Sequence, residues 1–259
     1  MQITDALFQL APAYMKEDWD NIGQLCGRAD QPVERVLVAL DPCLQTAQEA
    51  RAFGAQLLVT HHPLIFSGIK AVSDQSAAGR TLLYLIENSI SAVNMHTNLD
   101  AAPGGVNDCL AEALGLEALR VLQPAGTDAQ GRSYGLGRIG MTAPCSLQSF
   151  LQRVKDALQC GGLRYADGGK PVACVAVGGG ACGDFLQSAA ACGCDTFVTA
   201  DVKYHQFIEA RELGLNLIDA GHFPTENLIC GRMAESLRRR FPDLEILVSQ
   251  THEDAVKFL

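Results

Sequence analysis

Short runs of Val, Leu, Ile and Thr alternate with stretches of helical period along most of the chain. A strand followed by a crossover helix rejoins its sheet parallel to its predecessor, so this alternation specifies βαβ units on mostly parallel sheets. Strands are expected at Val33–Leu40, Gln56–Thr60, Ile90–Met95, Val172–Val177, Thr196–Thr199, Leu215–Asp219 and Glu245–Val248. Helices are expected at Leu44–Phe53, Thr81–Glu87, Val106–Leu114, Phe185–Ala191, His205–Glu212 and Thr225–Arg239.

The second half echoes the first. A shift of 139 residues carries Val33-x-x-Val36-x-Val38 onto Val172-x-x-Val175-x-Val177, and Ala52-x-Gly54-x-x-x-x-Val59-Thr60 onto Ala191-x-Gly193-x-x-x-x-Val198-Thr199. A shift of 126 then lays His96-Thr97-Asn98-Leu99-Asp100 on His222-Phe223-Pro224-Thr225-Glu226, two copies of His-x-x-x-acid after a strand. Any two βα units share strand–glycine–strand grammar, but the ordered matches favour an internal duplication. The expected fold class is α/β, with two similar α/β domains built on mixed, mostly parallel sheets. The first domain is expected over residues 1–124 with 223–259, and the second, with a glycine-rich loop, over 125–222. The polar, glycine-containing stretch Gln123–Arg132 is the candidate linker between them.

Composition narrows the function. Of the 259 residues, 48% are hydrophobic and 19% charged, which supplies packed cores and gives no case for disorder. A formal charge of −9 argues against bulk nucleic-acid binding through a basic surface, and an anionic partner would need a local positive centre. Residues 1–20 carry Asp5, Glu17 and Asp18 without a basic start and long apolar stretch, and no apolar run approaches the ~18 residues of a membrane span. A cytoplasmic protein with no membrane partner is therefore expected. The ten cysteines lie scattered among Ala, Val and Leu with no Cys-x-x-Cys, as small buried hydrophobes would, and Cys192-x-Cys194 is the closest pair.

Five of the six histidines, His61, His62, His96, His205 and His222, fall at or just beyond expected strand ends or helix starts. In open α/β sheets ligands collect outside the carboxyl ends of the strands, where a rigid sheet holds variable loops. Adjacent residues of an extended segment point to opposite sides, so His61 and His62 can reach two different ions. Asp100 and Glu226 follow His96 and His222 by four residues, a spacing that brings each pair onto one face if the chain turns helical, and Pro224 suits a first helical turn. Imidazoles and carboxylates without thiolates suit zinc, manganese, iron or cobalt, and a shared carboxylate fits a two-metal site. A lone histidine is more often a satisfied core residue or a cap, but His61-His62 with two later His-x-x-x-acid copies favours metal. His252 has no such company and is expected at the surface.

Gly178-Gly179-Gly180-Ala181-Cys182-Gly183 follows a strand, precedes a helix and satisfies Gly-x-Gly-x-x-Gly. Backbone N–H groups of such a turn can cradle a phosphate or a substrate. The same glycines also suit a tight turn needed for close packing. A nicotinamide or flavin site would want an acidic residue at the end of the next strand, where Asp201 stands.

The ordered set Trp19-Asp20-Asn21-x-Gly23, Thr60-His61-His62-Pro63, His96-Thr97-Asn98-Leu99-Asp100 with Gly104-Gly105-Val106-Asn107-Asp108, the triple glycine 178–180, Thr199-Ala200-Asp201 with His205, and Gly221-His222 with Glu226 resembles the NGG-interacting-factor-three-like family. Its bacterial members are known as GTP cyclohydrolase I type 2 homologs, and the likeness spans nearly the whole chain. The resemblance implies two divalent metal ions per subunit and a toroidal homohexamer whose centres face an internal cavity. Carried over, the ligands are His61, His62, Asp100, His222 and Glu226. Glu226 would bridge, His62 and Asp100 would complete one ion, and His61 and His222 the other. His96, Asp201 and His205 would orient ligands, shuttle protons or face the substrate. Ala200 stands where glycine is commoner, and the short 123–132 stretch leaves no room for the extra domain of some members.

The expected activity is that of a dinuclear metal-dependent hydrolase. A metal-bound hydroxide would attack a small anionic, nucleotide-like substrate, by purine ring opening or phosphoester hydrolysis. The ions would supply the positive centre that an acidic chain lacks. The competing class is a non-enzymatic hexameric metal-binding scaffold or regulator, which would need the same five ligands.

Overall fold

The computed structural model describes residues 2–259. In chain order the regular elements are α1 (Gln2–Leu10), β1 (Gly23–Cys26), β2 (Arg35–Ala39), α2 (Leu44–Phe53), β3 (Leu57–Thr60), α3 (Ala77–Glu87), β4 (Ser91–Asn94), α4 (Thr97–Ala101), α5 (Val106–Ala113), β5 (Glu117–Thr127) and β6 (Ser133–Cys145). They continue with α6 (Leu147–Leu158), β7 (Arg164–Ala166), β8 (Val172–Val177), α7 (Leu186–Ala191), β9 (Thr196–Thr199), α8 (Tyr204–Glu212), β10 (Asn216–Asp219), α9 (His222–Glu226), α10 (Leu228–Arg240) and β11 (Glu245–Val248). The chain divides into two compact units, one holding the described residues up to Leu99 with Ile229–Glu253, the other Asp100–Leu228 with Asp254–Leu259. Among the described residues no helix is long and apolar enough to cross a membrane.

The first unit carries a five-stranded sheet in the order β1-β4-β3-β2-β11. All neighbours run parallel except β1, which is antiparallel to β4. Leu37, Leu58 and Ala92 bury one face of this sheet against Ala47 and Ala50 of α2 and Leu82 and Leu85 of α3. Gly54 ends α2 in the left-handed region at φ 75°, and its N–H closes the last carbonyls of the helix.

The second unit carries a six-stranded sheet in the order β5-β6-β8-β9-β10-β7. Strands β8, β9 and β10 are parallel, while β7 and the β5–β6 hairpin run antiparallel to their neighbours. Alternate residues serve two cores. Val175, Val177, Val198 and Ile218 pack with Leu110 of α5 and Phe150 and Val154 of α6, whereas Ala176, Phe197 and Leu217 pack with Leu186 and Ala189 of α7 and Ala210 of α8.

The repeat is visible in the pairing of each sheet. Val36 pairs with Leu57 and Val38 with Val59, and the same shift of 139 gives the observed pairs Val175 with Thr196 and Val177 with Val198. Order and direction also match, because β4-β3-β2 with antiparallel β1 in one sheet corresponds to β10-β9-β8 with antiparallel β7 in the other. The two α/β units are similar, and both sheets are mixed.

Two local expectations need correction. Gln123–Arg132 is not a linker: it is the far end of the β5–β6 hairpin, inside the second unit. The Asp128 carboxylate closes its turn by accepting from the N–H groups of Gln130 and Arg132 and from the Arg132 guanidinium. The helix expected over Thr225–Arg239 is two helices, α9 and α10, separated at Asn227. Thr225 Oγ1 bonds back to the carbonyls of Gly221 and His222, a competition with helix propagation that Thr side chains favour.

Within the second unit Arg138 on β6 fixes the segment that leads into α5. Its guanidinium is 3% exposed, forks onto Asp108 at 2.8 and 2.9 Å, and also donates to the carbonyls of Gly135, Gly137, Ala101 and Ala102. Removing one partner of a buried pair leaves an uncompensated charge. Arg138→Ala is expected to lower the unfolding free energy by about 3–5 kcal/mol in chemical denaturation.

Candidate metal centre

His61 and His62 follow β3 and His96 follows β4, so parallel strands deliver all three at their carboxyl ends. Their ring centroids lie 5.0 Å (His61–His62), 5.4 Å (His61–His96) and 5.7 Å (His62–His96) apart. One ring nitrogen of each falls within 4.8 Å of the others, close enough for the group to hold a metal ion. His61 is fully buried, and its Nδ1 lies 2.8 Å from the carbonyl oxygen of Met95. His62 Nδ1 lies 2.6 Å from Asp41 Oδ1, and His96 Nδ1 lies 2.8 Å from Asp20 Oδ1. A carbonyl or an ionised carboxylate only accepts, so each Nδ1 carries a proton, and whenever such a ring is neutral its lone pair is on Nε2.

The acceptors are themselves held. Asp20 is buried and also receives the N–H and hydroxyl of Thr97. Burial alone would raise its carboxyl, but the hydrogen bonds from His96 and Thr97 and the charge of His96 outweigh it and bring the pKa down to about 2. Asp41 follows β2, and its second oxygen lies 3.0 Å from Nε2 of His252. Burial again opposes ionisation, but His252 and His62 hold the Asp41 carboxyl well below the usual carboxylate range.

In the second unit β10 leads into α9, whose first residue is His222. The four-residue spacing puts Glu226 on the same face, with His222 Nε2 3.0 Å from Glu226 Oε2. His222 Nδ1 lies 2.7 Å from Asp201 Oδ2, and Asp201 sits in the left-handed region at φ 52°. Nδ1 therefore donates to Asp201, and a neutral ring would set a lone pair against the Glu226 carboxylate. A proton or a cation must lie between two such acceptors. Glu226 is 4% exposed. Asp100 lies in α4, and its backbone carbonyl accepts from Asn107 Nδ2. Cys182 sits among Asp100, Glu226 and Asp184; burial, then those carboxylates, push its thiol far up and keep it protonated.

The triple glycine passes against His222 and Glu226, with its N–H groups bonded within the protein. The N–H of Gly178 bonds to Val198 O, that of Gly179 to Asn107 Oδ1 and that of Gly180 to Thr225 Oγ1, so all three donors are engaged. A Cβ at Gly180, which has φ 65°, would overlap Glu226 Oε1 and stand 3.1 Å from His222 Nε2. Glycine is required because the turn passes directly against the Glu226 and His222 side chains. His205 is exposed in the first turn of α8, and no hydrogen bond or ion pair ties it to these groups among the described residues.

Three further residues join the site. Asp20 and Asp41 were left out of the expected set, and His252, expected at the surface, is 8% exposed and bonded to Asp41. The signal for Asp41 and His252 was available, since Asp41 follows β2 and His252 follows β11, which pairs parallel to β2. The ten cysteines are free thiols; Cys26, Cys109, Cys160, Cys194 and Cys230 are buried, and Cys192 is exposed.

The family profile described as Duf34/NIF3 (NGG1p interacting factor 3) matches residues 1–255. This chain belongs to that family. Among Duf34/NIF3 relatives, a GTP cyclohydrolase 1 type 2 homolog of Streptomyces coelicolor is 40% identical over 98% of this chain and 92% of its own length. One of Clostridium perfringens is 32% identical over 99% of this chain and 98% of its own. A Bacillus cereus protein related to NIF3 superposes with a TM-score of 0.94 at 26% identity, covering 100% of this chain and 98% of that one. Reduced HcgD from Methanocaldococcus jannaschii superposes with a TM-score of 0.80 at 30% identity, covering 96% of each chain.

In this Duf34/NIF3 chain the depressed Asp20 has a consequence for stability. A carboxyl whose folded pKa lies below its unfolded value of about 3.9 stabilises the fold above that value and ceases to do so as pH falls through about 2. In chelator-treated protein, Asp20→Asn is expected to lower the melting temperature at neutral pH. The deficit should shrink between pH 4 and pH 2, as followed by circular dichroism.

Proposed function

We propose that this Duf34/NIF3 chain holds two divalent ions through His61, His62, Asp100, His222 and Glu226, assembles as a homohexamer and hydrolyses a nucleotide-like substrate. The observation that carries this is the shared state of His61, His62 and His222, each with Nδ1 committed to an acceptor. That arrangement fixes the tautomer and aim of ligand imidazoles in metalloproteins. The donor set fits the group, being made of imidazole and carboxylate.

Glu226 would bridge, His62 and Asp100 would complete one ion, and His61 and His222 the other. Two such ions would supply Lewis acidity and bring the pKa of water toward neutrality. Asp41 and Asp201 orient His62 and His222. His96, pinned by Asp20, is the imidazole beside the ligands that can hold or move a proton at Nε2, and His205 faces the substrate. The curated relatives carry the name GTP cyclohydrolase 1 type 2 homolog, and on that ground the substrate class assigned to this chain is a purine nucleotide, opened at its ring or cleaved at a phosphoester.

Elemental analysis of purified protein is expected to find about two ions per chain, with turnover of GTP or a model phosphodiester that chelation abolishes and metal restores. Two ions without turnover of either would make the chain a metal-binding scaffold, and no metal would remove the proposal. Glu226→Ala is expected to lose both ions while circular dichroism stays native. His252→Ala, which takes one partner from Asp41, is expected to weaken metal affinity about 10- to 100-fold in a competition titration.

A further inference from the structure

Trp19 and Phe66 are each 58% exposed, and Trp19 is the single tryptophan of the chain. Their ring centroids are 5.5 Å apart with planes at 46°. Both stand edge-on to His96, at 6.0 Å for Trp19 and 6.2 Å for Phe66. Two large rings turned to water forgo the burial that makes aromatic side chains useful in a core, and here they do so beside the histidine trio.

The segments that carry them are tied down. Asp20, next to Trp19, is locked to His96 and Thr97. The Asn21 side-chain amide donates to the carbonyl of Ile65, the residue before Phe66, at 2.7 Å, and Asn94 Nδ2 donates to Asn21 O at 3.1 Å. The tripeptide Trp19-Asp20-Asn21 thus presents a ring, fixes a histidine and fastens the loop bearing the second ring. A preorganised aromatic surface binds flat ligands with little loss of side-chain freedom, and every nucleobase has a π-face to offer it.

We propose that Trp19 and Phe66 form a stacking platform beside His96 for the purine base of the substrate. This rests on the metal-dependent nucleotide reading above and adds the group that selects the ring. Phosphate or ring-carbon chemistry would occur at the ions, whereas the platform would bind the base itself.

The single tryptophan makes the test direct. Zinc-loaded wild-type protein is titrated with guanosine 5′-monophosphate and, separately, with ribose 5-phosphate, which lacks the base. Saturable quenching of Trp19 fluorescence is expected with the nucleotide and none with the sugar phosphate, whose affinity by calorimetry should be at least about tenfold weaker. Trp19→Leu and Phe66→Leu are each expected to weaken nucleotide binding about tenfold and to leave ribose 5-phosphate binding unchanged, with Trp19→Phe recovering most of the loss. Circular dichroism and light scattering on each variant verify fold and assembly. Equal affinity for the two probes, no nucleotide binding, or wild-type affinity in both leucine variants would overturn the platform. So would a change of oligomeric size in Trp19→Leu, which would make the rings a subunit contact. Absence of bound zinc in the wild type counts against the metal reading instead, and the nucleotide quench then still decides the platform.

Discussion

An imidazole offers a metal either of two nitrogens, and free rotation about χ1 and χ2 lets it point almost anywhere. At His61, His62, His96 and His222 that freedom is removed by a single kind of contact, Nδ1–H donating to a carbonyl or a carboxylate. The donation fixes the tautomer, turns Nε2 away from the acceptor and raises the basicity of the ring. Every other feature near these residues serves that contact. Strands β3 and β4 end where the rings must start, Thr97 holds Asp20, His252 holds Asp41, and Asp201 adopts a left-handed backbone while it receives His222.

The likeness of the two units explains why they share this logic with only part of their residues in common. His96 and His222 are repeat equivalents, as are Asp100 and Glu226. His62, however, falls on Asp201, so a position that bears an imidazole in one unit bears in the other the carboxylate that orients one. A strand end in a parallel sheet is a fixed point whose side chain can be exchanged without disturbing the ladder. Divergence of this kind conserves the geometry and reassigns the chemistry.

The inner parallel strands and their helices were legible because burial on both faces leaves unbroken aliphatic runs; β8 and β9 match their expected limits, as does α2, and so does the half-exposed edge strand β11. The β5–β6 hairpin was not, since β5 is largely exposed, the buried centre of β6 is mostly glycine and Arg138, and Pro124, Gly126, Gly135 and Gly137 interrupt the strands, so that neither period nor hydrophobicity marks them. In the site, ligand types and spacing were legible. Of the orienting carboxylates only Asp201 stood out; Asp20 and Asp41 did not, because position after a strand narrows the choice without telling whether an aspartate faces water or an imidazole. The glycine turn was legible only as two alternatives, a cradle or a tight packing turn. Its pattern is that of a phosphate cradle, but a cradle is defined by where its N–H groups point, and here side chains and carbonyl groups of the protein consume them.

These carboxylates also bear on how an acidic protein could accept an anion. In the second unit Asp100, Glu226 and Asp201 gather about His222 and Cys182; in the first, Asp20 and Asp41 stand behind His96 and His62. Without cations each cluster carries negative charge and repels a phosphate. Divalent ions invert that field, because they are the largest local charges in such a site. Capture of the charged end of the substrate in the proposed enzyme is then conditional on metal loading for electrostatic reasons, before any chemistry is considered. An exposed aromatic platform suits that order of events, since stacking on a base depends little on the sign of the field and can hold the ring while the ions take the charged end.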